Sequence, residues 1–370
     1  MFIPAPSMRP TEGVQGLIDR TCCLAAFRFL KATLMFVLLL IGSGAKALAQ
    51  QVVAVKVHSL ALEHNLLGDS ADQDVAIYLP AAYRSDPERH FATIYFLHGF
   101  ADTPVKEVAE ILQKLTDPLI DPGAIAPMIV VAPNGLNRYF GSFYTNSEVT
   151  GSWEDYITRD VVGYVDAHYR TLPSTESQGI TGHSMGGYGV LMLAFSHPDI
   201  FSNVYAMSPC CTVLDGDIGP SSSVWAHASQ VTSSARMPDV LHREFLLAVV
   251  IAMDAAFAPD PHNLPLLGHQ PFFTQGEQSV PDPNVLSQFQ SRIVVTAIPL
   301  LLNGIFKLKG IYIEYGAGQQ APGRSPKPVD RRGAARRSGY DERDQSQQGR
   351  AKHSSYVPQR MNSPSAELAT

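Results

Sequence analysis

Short apolar runs alternate with segments of helical periodicity along most of the chain. Seven of these runs predict strands: 52–57, 75–79, 92–97, 128–132, 178–181, 204–207 and 310–315. The runs at 92–97 and 128–132 are apolar at nearly every position, which is typical of parallel strands covered on both faces. The periodic segments between the runs predict helices at about 105–115, 153–169 and 185–196, with Ser152 as the N-cap of the second and Asp155 as its capping-box partner. This alternation predicts an α/β fold with a mostly parallel central sheet and helices on both faces.

The alternation lapses between about residues 212 and 309. Two strongly apolar segments, Phe245–Met253 and Ile293–Phe306, lie there among turn-rich sequence. We interpret this region as a cap inserted into the α/β domain. The alternative is a membrane-associated hairpin, but each segment is shorter than the roughly 20 residues of a membrane span and Pro299 interrupts the second.

Both ends of the chain differ in composition from its middle. Arg28 and Lys31 precede an apolar run at 34–41, and Ala47-Leu48-Ala49 has the small-x-small form of a signal-peptidase site. The sequence therefore predicts a signal peptide over residues 1–49, cleavage after Ala49, and a secreted or periplasmic protein without a stable membrane span. An uncleaved anchor that begins near Cys22 is the alternative.

Residues 321–370 contain little apolar surface. Their large aliphatic and aromatic side chains are Val329, Tyr340, Tyr356, Val357, Met361 and Leu368. So little buried area cannot offset the entropy of ordering fifty residues, which predicts a disordered tail after a folded α/β domain at 50–320.

Composition excludes several classes of function. The formal net charge of -6 argues against a general nucleic-acid binder. His and carboxylate residues do not cluster at ligand spacing, so we expect neither a metal nor a cofactor. Cys22 and Cys23 would leave with the signal peptide, and a bridge between the neighbours Cys210 and Cys211 would be strained, so no disulfide is predicted.

The most informative motif is a Gly-x-Ser-x-Gly sequence within residues 180–187, between a β-prone run and a helix-prone run. Gly182 and Gly186 flank Ser184 where a sharp strand-to-helix turn brings backbone segments together, and a Cβ would clash there. The turn predicts a strained Ser184 with an exposed hydroxyl, which is the arrangement of a nucleophile. Its oxyanion donors would be the backbone N–H of Met185, at the helix start, and that of Phe100, in the loop after strand 92–97.

Five short motifs carry a resemblance to a known family: Ile77-Tyr78-Leu79-Pro80, Phe96-Leu97-His98-Gly99, Gly141-Ser142-Phe143-Tyr144, Trp153-Glu154-Asp155-Tyr156 and Gly182-His183-Ser184-Met185-Gly186-Gly187. The chain resembles, from about residue 52 to 316, the α/β-hydrolase family called "Putative esterase", which includes esterase D (S-formylglutathione hydrolase), feruloyl esterases and mycolyltransferase antigens. The resemblance implies the α/β-hydrolase fold, Ser184 as nucleophile, Met185 and Phe100 as the oxyanion hole, and a small-molecule ester or thioester substrate.

The C-terminal part departs from that family. Family members carry an acid just after the strand equivalent to 310–315, followed by a helix, a last strand and a catalytic His. Residues 316–320 read Gly-Ala-Gly-Gln-Gln, without a carboxylate, and the following sequence supplies neither the helix nor the strand. We hypothesise that the reading frame shifts near Gln319, which sequencing of the gene would test. Glu314 is the alternative acid.

Several histidines are candidates for the catalytic base. His353 lies about 37 positions beyond Gly316, near the expected separation. His183 is expected to pack into the sheet, His98 to support the oxyanion loop and His197 to end a helix, whereas His262 and His269 could line a pocket in the cap. The expected function is a secreted serine ester hydrolase that acts through an acyl-Ser184 intermediate, weakened by loss of the acid and His. The alternatives are an inactive ester-binding module and an acyltransferase.

Overall fold

The computed structural model describes residues 51–315, except Thr103 and Glu277. The predicted signal peptide, residues 316–320, the predicted tail and His353 therefore lie outside the described residues.

A seven-stranded sheet forms the centre of the described region, with the strand order β1-β2-β4-β3-β7-β8-β11. Strand β2 is antiparallel to both of its neighbours, and the other neighbouring pairs are parallel. The prediction of an α/β fold with a mostly parallel sheet is confirmed. The strands of this sheet are β1 (Gln51–His58), β2 (Asp72–Leu79), β3 (Thr93–Leu97), β4 (Ile129–Pro133), β7 (Gln178–His183), β8 (Asn203–Met207) and β11 (Gly310–Glu314). Two small hairpins add β5 (Asn146–Ser147) with β6 (Gly151–Ser152), and β9 (Phe272–Gln275) with β10 (Gln278–Pro281).

Helices cover both faces of the sheet because successive strand side chains point to opposite sides. The helices of this part are α1 (Ala82–Ser85), α2 (Val105–Ile120), α3 (Trp153–Asp155), α4 (Val162–His168) and α5 (Met185–Ser196), with a π-helical segment at Tyr156–Val161 between α3 and α4. Helix α2 packs through Val105 and Val108 on Ala76 and Ala132, whereas the neighbouring Val131 belongs to the larger core on the other face. Helix α5 lies against β3, β7 and β8 and is buried along nearly its whole length.

Five further α-helices follow β8 in the described part of the chain. They are α6 (Val224–Ala228), α7 (Met237–Arg243), α8 (Phe245–Phe257), α9 (Pro283–Arg292) and α10 (Val294–Ile305). Helix α8 is buried from Leu247 to Phe257 because α6, α7, α9 and β5 surround it. Helix α10 packs on α5 so closely that a Cβ at Gly304 would overlap the carbonyl of Phe195. In the described part of the chain no helix could cross a membrane alone; α9 and α10, bent by 51° at their junction, have the length and composition only as a pair.

The predicted cap at Ser152 is wrong. The Ser152 side chain makes no capping hydrogen bond, and Asn146 Oδ1 instead accepts from the N–H groups of Glu154 and Asp155 at 2.9 and 3.1 Å. Asn146 lies opposite Ser152 in the β5-β6 hairpin, and this pairing places its amide over the helix N-terminus. The capping residue therefore comes from across a hairpin rather than from the preceding position.

Candidate active site

Ser184 occupies a tight turn between β7 and α5. Its backbone angles are φ 55° and ψ -115°, a region that residues with a side chain rarely adopt. Three backbone hydrogen bonds hold it there: its N–H donates to the Met207 carbonyl at 3.0 Å, and its carbonyl accepts from Tyr188 at 3.0 Å and from Cys210 at 3.1 Å. Strain of this kind persists only when surrounding structure fixes the residue, and it is concentrated at functional sites.

The two glycines that flank Ser184 allow three backbone segments to meet. A Cβ at Gly182 would lie 2.6 Å from the carbonyl oxygen of Leu97, and one at Gly186 would overlap the same carbonyl. Strand β3 therefore touches both the end of β7 and the first turn of α5. This close approach requires glycine at both positions and places the loop after β3 beside the serine.

Two backbone amides near Ser184 have no acceptor among the described residues. They are the N–H of Met185, at the start of α5, and the N–H of Phe100, in the loop of residues 98–102, which we call the oxyanion loop. Their side chains meet at Gly141, where a Cβ would lie 2.6 Å from the Met185 sulfur and would clash with the Phe100 ring. The structure thus brings together the three residues that the sequence predicted as nucleophile and oxyanion donors.

His98 holds the oxyanion loop in place through its ring nitrogens. Its ring is buried, with Nδ1 2.9 Å from the Gly99 carbonyl and Nε2 2.7 Å from the Gly135 N–H. Because the Gly135 N–H must donate to Nε2, the proton of the neutral ring lies on Nδ1. Burial lowers the pKa of His98, which favours this neutral form.

Two further side chains and one backbone contact also hold the oxyanion loop in place. The Tyr144 hydroxyl donates to the His98 carbonyl at 3.0 Å, and Asp102 Oδ2 accepts from the Gly99 N–H at 3.0 Å. The Ala101 N–H donates to the Phe140 carbonyl at 2.9 Å. Sequence reasoning missed these supports, because only tertiary structure shows which group each side chain reaches.

Backbone strain is concentrated around the serine. Nine described residues other than glycine have a positive φ. Seven of them belong to segments that adjoin the tight turn at Ser184, which we call the elbow: Ala101, Phe140, Phe143, Tyr144, Ser184, Ser208 and Cys211. Such clustering is a feature of sites that are held in one geometry for function.

His183 does not pack into the sheet, so that expectation is wrong. Its side chain is exposed. As the last residue of β7 it faces the oxyanion loop, and a Cβ at Gly99 would lie 3.8 Å from its Nδ1 and 3.5 Å from Asp102 Oδ2. Ser184 Oγ has no hydrogen-bond partner among the described side chains, His183 included.

The remaining candidates for base and acid contact other groups. His197 ends α5 and lies 2.7 Å from Glu154 Oε1, and His269 Nε2 lies 2.7 Å from Asp260 Oδ2. His262 is exposed. Glu314 is exposed and hydrogen-bonds the hydroxyl of Tyr205, whose pKa burial and this bond raise to about 12. The described residues therefore supply a serine and two amide donors without a base hydrogen-bonded to Oγ.

No metal centre is built by the described residues, in which His, Cys, Asp and Glu form no group of three that could hold an ion. The residues of the site are instead of the types used in acyl transfer: a half-buried serine, a backbone N–H donor at a helix start and a second N–H donor in the oxyanion loop.

The fold and the arrangement of the site are typical of serine hydrolases of the α/β class. Residues 70–247 match the family model described as "Putative esterase", a segment that contains the oxyanion loop, the elbow and α5. This segment belongs to that esterase family, and the resemblance seen in the sequence is confirmed.

Solved structures of three proteins illustrate the similarity. One is a ferulic acid esterase with 18% identity and a TM-score of 0.43, in a match that covers 72% of this chain and 89% of that chain. Another is a substrate-bound fluorophosphonate-binding serine hydrolase of Staphylococcus aureus, with 20% identity, coverages of 46% and 64%, and a TM-score of 0.36. The third is an S-formylglutathione hydrolase of Staphylococcus aureus, with 17% identity, coverages of 55% and 74%, and a TM-score of 0.35.

Proposed function

We propose that this chain is a serine carboxylic-ester hydrolase that acts through an acyl intermediate on Ser184. The observation that carries the proposal is the strained Ser184 at the turn between β7 and α5, beside which the N–H groups of Met185 and of Phe100 in the oxyanion loop have no acceptor among the described residues. The match of residues 70–247 to an esterase family supports the same reaction class.

The reaction follows from this geometry. Oγ of Ser184 attacks the ester carbonyl carbon while the carbonyl oxygen gains negative charge between the two amides. The dipole of α5 adds to the stabilisation because Met185 lies at its N-terminus. The alcohol or thiol then leaves with a proton, and water releases the acid from the acyl-enzyme. Removal of one oxyanion donor in such sites lowers the rate on the order of a hundredfold.

The sequence offers His353 as a candidate base, and this residue lies outside the described residues. The described residues supply neither a base nor an acid, and an oxyanion hole and substrate binding alone still give a rate on the order of a thousandfold above that in water. We therefore expect turnover well below that of a complete serine hydrolase. His353→Ala should lower the rate further and remove an ionisation from its pH profile.

The substrate class is a small-molecule ester or thioester, and the site of action is outside the cytoplasm. Support for export comes from the charged, apolar and small-residue pattern that ends at Ala49. N-terminal sequencing of the protein recovered from its native host tests this part: a mature chain that begins at Gln50 is expected, and retention of residues 1–49 would contradict export.

A second candidate is an ester-binding module without turnover. It is favoured by one observation, that no described histidine hydrogen-bonds to Ser184 Oγ. A fluorophosphonate probe separates the two functions, because it labels only an activated hydroxyl. Acyl transfer is the third candidate, and product analysis with an added alcohol acceptor would detect it.

The main experiment compares the wild-type chain with Ser184→Ala. We expect the wild type to react covalently with a fluorophosphonate at Ser184 and to hydrolyse p-nitrophenyl acetate, and we expect the variant to do neither above background. Circular dichroism of both proteins controls for folding. Equal hydrolysis by the two proteins would exclude the esterase proposal, and binding of an ester without labelling would support the module.

A further inference from the structure

Two adjacent cysteines follow strand β8 and contact the elbow. Cys210 and Cys211 are both free and half-buried, and their sulfur atoms lie 3.0 Å apart. The Cys211 S–H donates to the sulfur of Cys210. We propose that this pair is a thiol oxidation site, which hydroperoxides convert reversibly to a vicinal disulfide and whose state is transmitted to Ser184.

The segment that carries the pair is fixed at both ends. A Cβ at Gly187 would lie 3.0 Å from the Cα of Pro209, so the segment packs directly on the first turn of α5. At the other end the Thr212 carbonyl accepts from Val295 at the start of α10 at 3.1 Å. Cys211 has a positive φ of 56°. The backbone on both sides of the two thiols is therefore held by packing and a hydrogen bond.

A single hydrogen bond connects this segment to the serine. The N–H of Cys210 donates to the carbonyl of Ser184 at 3.1 Å, and Tyr188 donates to the same oxygen. A disulfide between neighbours closes a ring that contains the peptide bond between the two residues. The Cys210 nitrogen is bonded to a Cα atom of that ring, so we expect ring closure to change the orientation of the N–H that holds Ser184.

The chemistry is a two-electron oxidation. The sulfur of Cys210 attacks one oxygen of a hydroperoxide, the O–O bond breaks, and Cys210 becomes a sulfenic acid while an alcohol leaves. The sulfur of Cys211 then attacks the sulfur of Cys210, and the displaced hydroxide takes the proton of Cys211 and leaves as water. Two thiols are thereby oxidised, and the peroxide is reduced to the alcohol and water.

The order of the two steps follows from the contact between the thiols. The hydrogen bond to the Cys210 sulfur, together with burial, raises the pKa of Cys211 well above its usual value, so Cys211 keeps its proton while Cys210 reacts. The disulfide should also be easily reduced. Neighbouring Cα atoms lie about 3.8 Å apart, whereas disulfides ordinarily join Cα atoms roughly 4.4 to 6.8 Å apart, and strained bridges are the labile ones.

The direct test is mass spectrometry of the full chain in a Cys22→Ser and Cys23→Ser background. After treatment with hydrogen peroxide and an alkylating reagent, we expect the peptide with Cys210 and Cys211 to lose two hydrogen atoms and to resist alkylation. A dithiol should reverse both changes. Cys211→Ser is the matched control, because it keeps Cys210 but cannot close the ring. Alkylation of both cysteines after oxidation would overturn the proposal.

A second probe does not depend on any variant. Phenylarsine oxide bridges two neighbouring thiols, so one equivalent should protect both cysteines of the reduced chain from alkylation. Protection of neither cysteine would show that the sulfurs cannot be bridged, and the proposal would fail.

Transmission to Ser184 is read from backbone hydrogen exchange and from probe labelling. Oxidation should speed exchange of the Cys210 N–H and slow fluorophosphonate labelling about fivefold, which corresponds to the loss of one net hydrogen bond. Only the labelling readout depends on the proposed function. A chain that is never labelled would refute the proposed function while the exchange data still decide the coupling; identical exchange in both states would refute the coupling.

Discussion

Strands β7 and β11 lie on either side of β8 and differ sharply in burial. Ile180 of β7 and Ile311 of β11 both pair with Val204, and their exposed fractions are 2% and 39%. Strand β7 has a partner on each edge, whereas β11 pairs only with β8 within the described residues. The nucleophile therefore stands at the end of a strand that is paired on both edges, whereas the strand expected to precede the acid has no second partner within the described residues.

This difference in burial and strand pairing explains why the part of the site around Ser184 is held in a fixed geometry. A strained serine needs hydrogen bonds and close packing from several sides, and β7 receives them from β3, β8 and α5. Strand β11 contributes one comparable bond, from the Ser208 N–H to the Glu314 carbonyl at 2.7 Å. The side chain of Glu314 is hydrogen-bonded to the hydroxyl of Tyr205. An acid held there would lack the surrounding support that fixes Ser184.

The largest effect is expected from a methyl group at the elbow. Gly186→Ala places a Cβ on the carbonyl of Leu97, so the oxyanion loop and the first turn of α5 must separate. We expect fluorophosphonate labelling of Ser184 to fall at least a hundredfold, since a displaced donor acts like a missing one. Labelling rates and thermal unfolding measure this.

Gly163→Ala is the matched control, because a Cβ at this position of α4 would meet nothing within 4 Å. It should stabilise the protein by about 0.5–1 kcal/mol and leave labelling unchanged. If both variants are labelled like the wild type, the close backbone approach is not needed for the site.

A smaller effect is expected when a side chain is truncated in β7 or in β11, and its size should differ between the two strands. Ile180→Ala removes a buried side chain and should lower the free energy of unfolding by about 2–5 kcal/mol. Ile313→Ala, at a β11 position that is 48% exposed, should lower it by less than about 1 kcal/mol. Urea unfolding of the two variants gives the comparison, and equal losses would show that β11 is covered in solution.

Much of the structure around Ser184 could be predicted from the sequence. The strands at 178–183 and 203–207 and helix α5 begin and end within two residues of their predicted bounds, because apolar runs and periodicity are local signals. The turn at Ser184 was predictable for the same reason, since its two glycines lie beside it in the chain.

Apart from His98, which was expected to support the oxyanion loop, the supports of the site could not be predicted in this way. Asn146 caps a helix from across a hairpin, and Tyr144 donates to a carbonyl 46 positions away in the chain. The side chain of His183 was expected to pack into the sheet, but it is exposed and faces the oxyanion loop. Each of these depends on which segments meet in three dimensions, and no pattern of nearby residues encodes it.

Asp254 of α8 is an ionisable group that is buried without a partner in the described region for one of its oxygens. It is 1% exposed, and its Oδ1 has no partner among the described residues. Burial raises the pKa of this carboxyl well above its usual value. The folded protein therefore binds a proton that the unfolded chain releases near pH 4, so this group destabilises the fold increasingly as the pH rises above 4.

Asp254→Asn should remove that pH dependence. Relative to the wild type, the variant should gain about 1.4 kcal/mol per pH unit above pH 4, until the pKa of the folded state is reached. Urea midpoints at pH 5 and pH 7 measure the gain. Asp239→Asn, at an exposed position of α7, is the control and should show none. A parallel response of both variants would mean that Asp254 is paired or hydrated in solution.

The smallest effect concerns the far end of α5, behind the elbow. The hydrogen bond to Glu154 raises the pKa of His197, and both side chains are less than one quarter exposed. A raised folded-state pKa means that the stabilisation is complete below about pH 6.5 and is lost as the pH rises through the folded-state value. His197→Gln should therefore destabilise the protein by less than about 1 kcal/mol at pH 6 and by a smaller amount at pH 8. His242→Gln, at an exposed position of α7, should be neutral at both. A loss for His197→Gln that grows toward pH 8 would contradict the ion pair, and would leave packing alone to hold this end of the helix that begins at the serine.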